Sequence, residues 1–228
     1  MKHSGKARAA AVKLILLALV AALVVGGGGW LLAGPVPSLC LAPALAGGLW
    51  VLFTAFTLYF FRDPTARPPA GAGLVLSPAH ALVDAIDTTT ESEFMGGPCQ
   101  RISMFLSVLD IHVQNAPVSA RLTFLKHKPG KFLNAMKTES AVHNENVLLG
   151  FEVAGNPGGK VGVRLIAGAI ARRIIPFIQP GETTAAGERI SLIQFGSRAD
   201  VYLPIGARLR VKLGDKVVGG ETILAVME

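Results

Sequence analysis

From Leu14 to Phe61 the chain carries no charged residue, and no single water-soluble core element buries an uninterrupted apolar block of that length. The block is long enough for two bilayer-crossing helices, each of which needs about 20 apolar residues. One apolar run extends from Ala9 to about Ala33 and a second from about Leu39 to Phe61, separated by Gly34-Pro35-Val36-Pro37-Ser38. A tight antiparallel helical hairpin is therefore expected. A secretory signal shares the order of basic leader and apolar core, but the first run exceeds a signal's core and a second run follows it. Lys2, Lys6, Arg8 and Lys13 flank the first helix, and Arg62 and Arg67 the second. The positive-inside rule then places both ends, and the rest of the chain, in the cytoplasm. Trp30, Trp50 and Tyr59 suit either the interfaces or helix packing. The run Gly26 to Gly29 either weakens the first helix or lets a neighbour approach closely. A shallow re-entrant hairpin is the alternative to a spanning one.

The expected organisation is a basic leader and hairpin over residues 1–62, a Pro/Gly linker over 63–73, and a β-rich domain over 74–228. Short β-prone segments separated by Gly, Pro or Asn predict strands at Leu74–Leu76, Arg101–Leu106, Ile111–Val113, Arg121–Leu125, Asn146–Val153 and Lys160–Ala167. Ala167 to Ile175 is expected to form a short helix or helical turn. Cys40 and Cys99 are the only cysteines, one inside the apolar block and one outside it. They predict free thiols in a reducing compartment, with neither a disulfide nor a structural zinc site. The formal charge of +7 suits an anionic membrane surface. It also permits nucleic-acid binding, which is discounted because no zinc finger, recognition helix or aromatic RNA-binding strand accompanies it.

An internal repeat runs through the C-terminal part. Pro180-Gly181-Glu182 and Leu213-Gly214-Asp215 are each followed six residues on by Gly-Glu, at Gly187-Glu188 and Gly220-Glu221, and then by an apolar strand. This is the hammerhead pattern of a barrel-sandwich hybrid, the fold of biotinyl and lipoyl carriers. A carrier presents a lysine on a turn between such halves. Here the turn-like Leu203 to Ala207 has no lysine, and Gly196-Ser197 lies between the halves instead.

The stretch from Ile190 to Pro204 alternates apolar residues up to Gly196-Ser197 and resumes through Ala199, Val201 and Leu203, reading as two strands that meet at a kink. Gly-Ser pairs usually mark a turn or bulge. The same pair also permits self-cleavage, because Gly196 lets the Ser197 hydroxyl reach the Gly196 carbonyl for an N-to-O acyl shift. Elimination of the resulting ester and hydrolysis leave an N-terminal pyruvoyl group at residue 197.

Phe195-Gly196-Ser197-Arg198-Ala199-Asp200-Val201-Tyr202-Leu203-Pro204 resembles the processing site of the short bacterial-type phosphatidylserine decarboxylases, whose serine after the glycine becomes the pyruvoyl group. Phe105 to Ser119, containing Asp110 and His112, is similar to that family's histidine-containing strand. Gly130 to Ala135, Glu145-Asn146 and Ile166 to Ile174 continue the likeness in family order. The resemblance implies self-cleavage between Gly196 and Ser197 and a covalent pyruvoyl cofactor at Ser197 that takes the substrate amine as a Schiff base. It further implies His112 as acid or base, fragments that stay together, a homodimer, and conversion of phosphatidylserine to phosphatidylethanolamine without a metal. Lys126, Lys128, Lys131, Arg172 and Arg173 are candidates for attracting the anionic phospholipid, or simply a solvated basic surface.

One position departs from the family. Its usual Ser-Pro-Ala-Asp-Gly reads Ser77-Pro78-Ala79-His80-Ala81 here, so the aspartate thought to orient the histidine is replaced. An imidazole offers no fixed negative charge in its place. His80 itself is a candidate base, and Asp84, Asp87 and Asp110 are candidates for the missing carboxylate. Of the other histidines, His127 is expected in a solvated basic loop and His143 in a polar turn. The alternative function is an uncleaved, membrane-tethered β domain that binds anionic lipid or a protein partner.

Overall fold

The computed structural model describes residues 2–33, 41–131, 133, 143–153, 159–168, 173–194 and 197–227. They fall into two compact units, Gly5–Asp63 and Pro64–Glu228 with Met1–Ser4.

The smaller unit is a pair of helices, α1 (Lys6–Ala33) and α2 (Ala42–Phe60). At 1.5 Å rise per residue they span about 42 and 28 Å, and both are long and apolar enough to cross a bilayer. The glycine run does not break α1; it serves contact. A Cβ at Gly26 would lie 3.3 Å from Pro43 Cα, and one at Gly29 would lie 2.9 Å from Ala42 Cβ, so small residues let α2 pack closely. Trp50 Nε1 donates to the Ile15 carbonyl at 3.2 Å, tying the helices at a polar atom that the bilayer cannot satisfy. The Gly34 to Ser38 turn and Cys40 lie outside the described residues.

The larger unit is mainly β. Its strands are β1 (Leu74–Leu76), β2 (Ala81–Glu91), β3 (Gly97–Leu106), β4 (Val113–Asn115), β5 (Ala120–Lys128), β6 (Asn146–Glu152) and β7 (Lys160–Ala167), followed by β8 (Arg173–Pro176), β9 (Thr183–Thr184), β10 (Arg189–Gln194), β11 (Ser197–Leu203), β12 (Arg208–Leu209), β13 (Lys216–Val217) and β14 (Ile223–Val226). A curled antiparallel sheet has the order β13-β2-β3-β11-β7-β6-β5-β9, and two three-stranded sheets have the orders β1-β14-β12 and β4-β10-β8. One face of the large sheet, carrying Ile102, Met104, Leu106, Val163, Leu165, Ala199, Val201 and Leu203, meets Ile190, Ile193, Leu224 and Val75 from the small sheets in one buried core. Burying each such side chain stabilises by about 1.5–3 kcal/mol.

Four local expectations are corrected. Arg173–Pro176 is strand, not helix, because β-branched Ile174 and Ile175 pair with Leu192 and Ile193 of β10; tertiary pairing overrides a weak local signal. His112 lies just before β4 rather than within a strand. His127 is on β5 rather than in a loop, with Nε2 3.1 Å from Glu145 Oε1. The strand β2 was not expected from the polar sequence after Ile86. It forms because β3 offers a full-length antiparallel edge, from Leu82 opposite Phe105 to Glu91 opposite Gly97.

The two repeat halves adopt matching backbone conformations. Gly181 and Gly214, and Gly187 and Gly220, all have positive φ, between +73° and +100°, which glycine adopts without steric cost. The amide of Gly181 donates to Leu122 and that of Gly214 to Val83, each at 2.7–2.8 Å, and Leu122 and Val83 donate back to Glu182 and Asp215.

Candidate active site

The alternating stretch from Ile190 to Pro204 does not stay in one sheet. β10 belongs to the small β4-β10-β8 sheet, whereas β11 is inserted between β3 and β7 of the large one. The chain therefore changes sheets between Gln194 and Ser197. Phe195 and Gly196 lie outside the described residues. Ser197 opens β11 opposite Leu106 on one side and Ala167 on the other. Its side chain is fully buried, and its Oγ has no hydrogen-bond partner among the described residues. A buried hydroxyl without a partner forfeits the desolvation energy that a hydrogen bond would recover, about 1–3 kcal/mol.

His112 is brought to the same end of the sheets. Its carbonyl accepts the amide of Ile193 at 3.0 Å and the side chain of Gln114 at 2.7 Å, and Gln114 Oε1 accepts from Ser191 Oγ at 2.6 Å. The imidazole is 1% exposed. Its Nδ1 lies 2.9 Å from the backbone carbonyl oxygen of Asp110. A carbonyl oxygen only accepts, so Nδ1 carries a proton, and in the neutral ring Nε2 is the nitrogen with the lone pair.

His80 is half-buried beside this end. The amide of Leu76 donates to Pro117 O, and that of Asn115 to Pro78 O, both at 2.8 Å. The chain then bends over residues 78–80 before β2 begins at Ala81. A Cβ at Gly219 would lie 3.2 Å from His80 Cδ2 and 3.0 Å from Asn115 Oδ1, so a glycine leaves room for the ring.

The three candidate carboxylates are all engaged. Asp110 Oδ2 accepts the Ser107 amide at 2.7 Å, closing the turn before His112. Asp87 accepts from Arg101 Nε at 2.9 Å. Asp84 receives Arg198 in a bidentate pair, Nη1 to Oδ2 at 2.7 Å and Nη2 to Oδ1 at 2.6 Å. Of the basic residues, Lys126 pairs with Glu93 at 2.7 Å. Lys128, Lys131 and Arg173 are exposed, and Arg172 lies outside the described residues.

Arg198 escaped sequence reasoning. Arg198, Asp200 and Tyr202 alternate with the apolar Ala199, Val201 and Leu203, and every residue of β11 is buried. Arg198 Nη2 donates to Ser103 Oγ at 2.8 Å, and Ser103 Oγ donates to Asp200 Oδ1. Burial pushes the Asp200 carboxyl above the usual range, against the opposing pull of the Ser103 hydroxyl and of Arg101, Arg198 and Arg164. No local signal in the sequence joins Arg198 to Asp84.

The sequence profile of the family described as phosphatidylserine decarboxylase matches residues 53–225. The chain belongs to the phosphatidylserine decarboxylase family. Proteins named phosphatidylserine decarboxylase proenzyme in Desulfotalea psychrophila and Gluconobacter oxydans are 42% and 45% identical to it, over 77% and 79% of this chain and 81% of each relative. A relative of the same name in Azorhizobium caulinodans is 43% identical over 83% of this chain and 85% of its own length. The family match begins within α2 and ends within β14, so it takes in Ser197, His112, His80 and the Asp84–Arg198 pair.

Proposed function

We propose that this member of the phosphatidylserine decarboxylase family cleaves itself between Gly196 and Ser197 and then converts phosphatidylserine to phosphatidylethanolamine. The observation that carries the reading is Ser197 itself, a buried nucleophile without a hydrogen-bond partner among the described residues, at the point where the chain changes sheets. A serine serving only as a turn residue has no need of such burial.

In processing, the Ser197 hydroxyl attacks the Gly196 carbonyl carbon, and His112 Nε2 is the base that takes its proton. The Gly196–Ser197 amide bond becomes an ester, leaving the nitrogen of residue 197 as a free amine. Loss of the Cα proton then breaks the ester's Cβ–O bond. Gly196 is released as a carboxylate and residue 197 becomes dehydroalanine; water replaces its nitrogen, freeing ammonia. The site fits the resulting pyruvoyl group, since the unpartnered Oγ marks a pocket position that a serine does not satisfy. When formed, that group supplies a carbonyl that takes the substrate amine and an amide that draws off the electron pair left by carbon dioxide. His112 Nε2, once it has taken up a proton, delivers it to the product. Burial of residue 197 keeps bulk water from the reacting atoms.

The same reading includes a hairpin anchored in the cell membrane, a β unit on the cytoplasmic face and a homodimer. Lys128, Lys131 and Arg173 face solvent and are suited to the phosphate of an anionic lipid. It also includes hammerhead units of the barrel-sandwich type, which the matched glycine conformations support. They straddle the cut and give both fragments strands to share.

Intact mass and denaturing gels of the purified protein, with Ser197→Ala as control, test the proposal. A fragment from residue 197 to Glu228 with a pyruvoyl-mass N-terminus, absent from the control, is expected, together with release of carbon dioxide from phosphatidylserine in mixed micelles. A single uncut chain in both sinks the pyruvoyl mechanism and leaves a lipid- or partner-binding β domain.

A further inference from the structure

Once the chain is cut, residue 197 is the first residue of a small fragment with no covalent tie to the rest. Its central strand, β11, is then held by backbone ladders to β3 and β7. Such ladders do not fix position along the strand. A slide by two residues restores the backbone bonds and returns every side chain to its own face. Before cleavage the peptide bond to Gly196 opposes that slide at the reactive end. Afterwards β13 and β14, paired with β2 and β1, hold the far part of the fragment, and at the reactive end the restraint falls to side chains.

We infer that Arg198, Asp84, Ser103 and Asp200 form a clamp across the cut that holds the reactive end of the small fragment in register. The inference rests on processing at Gly196-Ser197. Arg198 and Asp200 belong to the small fragment, Asp84 and Ser103 to the large one, and every hydrogen bond among them crosses between the two. The Arg198 guanidinium takes Asp84 in a two-point grip at 2.6 and 2.7 Å and reaches Ser103 Oγ at 2.8 Å. The Ser103 hydroxyl in turn donates a hydrogen bond to Asp200.

A fault in the sheet makes this grip geometrically feasible. Val83 lies opposite Met104 and Ala85 opposite Ser103, two neighbouring residues of β3, so Asp84 is the extra residue of a β-bulge. A bulge re-aims its side chain; here the carboxylate crosses β3 to reach β11. Arg198 is 0% exposed while the Asp84 side chain is 26% exposed, so the arginine is committed to the interior and the aspartate supplies its counter-charge from the rim. Both bonds of the bidentate pair require the guanidinium plane to face the carboxylate edge, which a strand displaced by two residues cannot offer.

The clamp bears on the chemistry through one covalent link. The backbone nitrogen of Arg198 is the amide nitrogen attached to residue 197. Successive side chains alternate across the strand, so Arg198 is held on one face while residue 197 presents to the other. Arg198, Asp84 and Ser103 are thus positioning residues, fixing the amide plane that must stay aligned with the reacting carbonyl.

The test uses the full chain in detergent micelles as wild type, Asp84→Asn, Arg198→Lys and Ser103→Ala. Three readouts are taken: the fraction cut, the urea concentration at which the small fragment leaves the large one in native mass spectra, and kcat and KM with phosphatidylserine mixed micelles. Cut variants are expected to lose the small fragment at lower urea than wild type and to show kcat reduced about tenfold or more with KM nearly unchanged, the mark of a misplaced reacting group. Cut variants that keep both the fragment and kcat at wild-type levels overturn the clamp and leave the processing reading intact. An uncut wild type overturns both. Should the Asp84 and Arg198 variants fail to fold or to be cut, Ser103→Ala, which removes a single hydroxyl, decides by the same criteria. If that variant also remains uncut while wild type is cut, the network acts before cleavage, and a role across the cut is rejected.

Discussion

The backbone carbonyl of Asp110 holds Nδ1 of His112 at 2.9 Å, while the Asp110 carboxylate turns away to the Ser107 amide at 2.7 Å. The tautomer that leaves Nε2 basic is therefore set by main chain, and the carboxylate serves the turn. In the neutral ring this main-chain bond leaves Nε2 as the basic nitrogen without help from a carboxylate.

Asp110→Asn is accordingly expected to process normally. The amide oxygen can still accept from Ser107, and the carbonyl facing His112 is untouched. His112→Ala should be left uncut, because the group proposed to take the Ser197 proton is gone. Time courses of cleavage after cell-free synthesis separate the two; a stalled Asp110→Asn would show that the carboxylate, not the carbonyl, does the orienting.

His80 is the residue at which the chain departs from the Ser-Pro-Ala-Asp-Gly pattern, and its ring lies against Gly219. If its ring is only a spacer beside Gly219, His80→Ala should still cleave. His80→Asp adds a fixed negative charge near His112 and should hasten cleavage by stabilising the imidazolium. Equal rates for His80→Asp and wild type would place residue 80 outside the proton-transfer path. Loss of cleavage in His80→Ala would make His80 itself a base.

The Arg198–Asp84 pair has an energetic consequence apart from catalysis. Asp84→Ala leaves a fully buried guanidinium without its counter-charge, a loss of about 3 kcal/mol or more for a broken buried pair. Measured in the uncut Ser197→Ala background, this should appear as a Tm lowered by several degrees. Replacing Lys126, whose partner Glu93 is solvent-exposed, should change Tm little.

Two carboxyls give opposite pH signatures. Burial raises the Asp200 carboxyl, so the folded state binds its proton more tightly than the unfolded chain does. That contribution to stability is complete below about pH 4 and is lost as pH rises through the raised folded value. For Glu91, burial pulls upward but is outweighed by the Met95, Phe94 and Glu93 amides and by Arg164, and its carboxyl is lowered. Its contribution is present above about pH 4 and lost as pH falls through the lowered folded value. Asp200→Asn should therefore narrow its stability gap to wild type, or overtake it, as pH rises. Glu91→Gln should be less stable than wild type near neutrality, with the gap closing in acid. Denaturant midpoints across pH 3–8 in the Ser197→Ala background give both signs.

Much of this molecule is written in local patterns. An uncharged apolar block reads as two membrane-length helices because composition alone decides whether a helix can bury its surface in water. The separation of two strands on either side of Gly196-Ser197 and the paired glycine turns are equally legible, since breaks in alternation and glycine positions are local. The helix expected near Ile174 became strand, because β10 supplied an edge that short-range propensity does not register. The burial of Arg198 was hidden for a related reason: alternation along β11 states which residues share a face, not what covers that face. Sequence by itself determined the two membrane-length helices, the β-rich domain and the break in the strand pattern at Gly196-Ser197. Only tertiary structure decided that Asp110 serves His112 through its carbonyl, and that a bulge delivers Asp84 to Arg198. The second depends on strand pairing between segments far apart in the chain, and the first on the conformation of the Ser107–Asp110 turn that precedes β4.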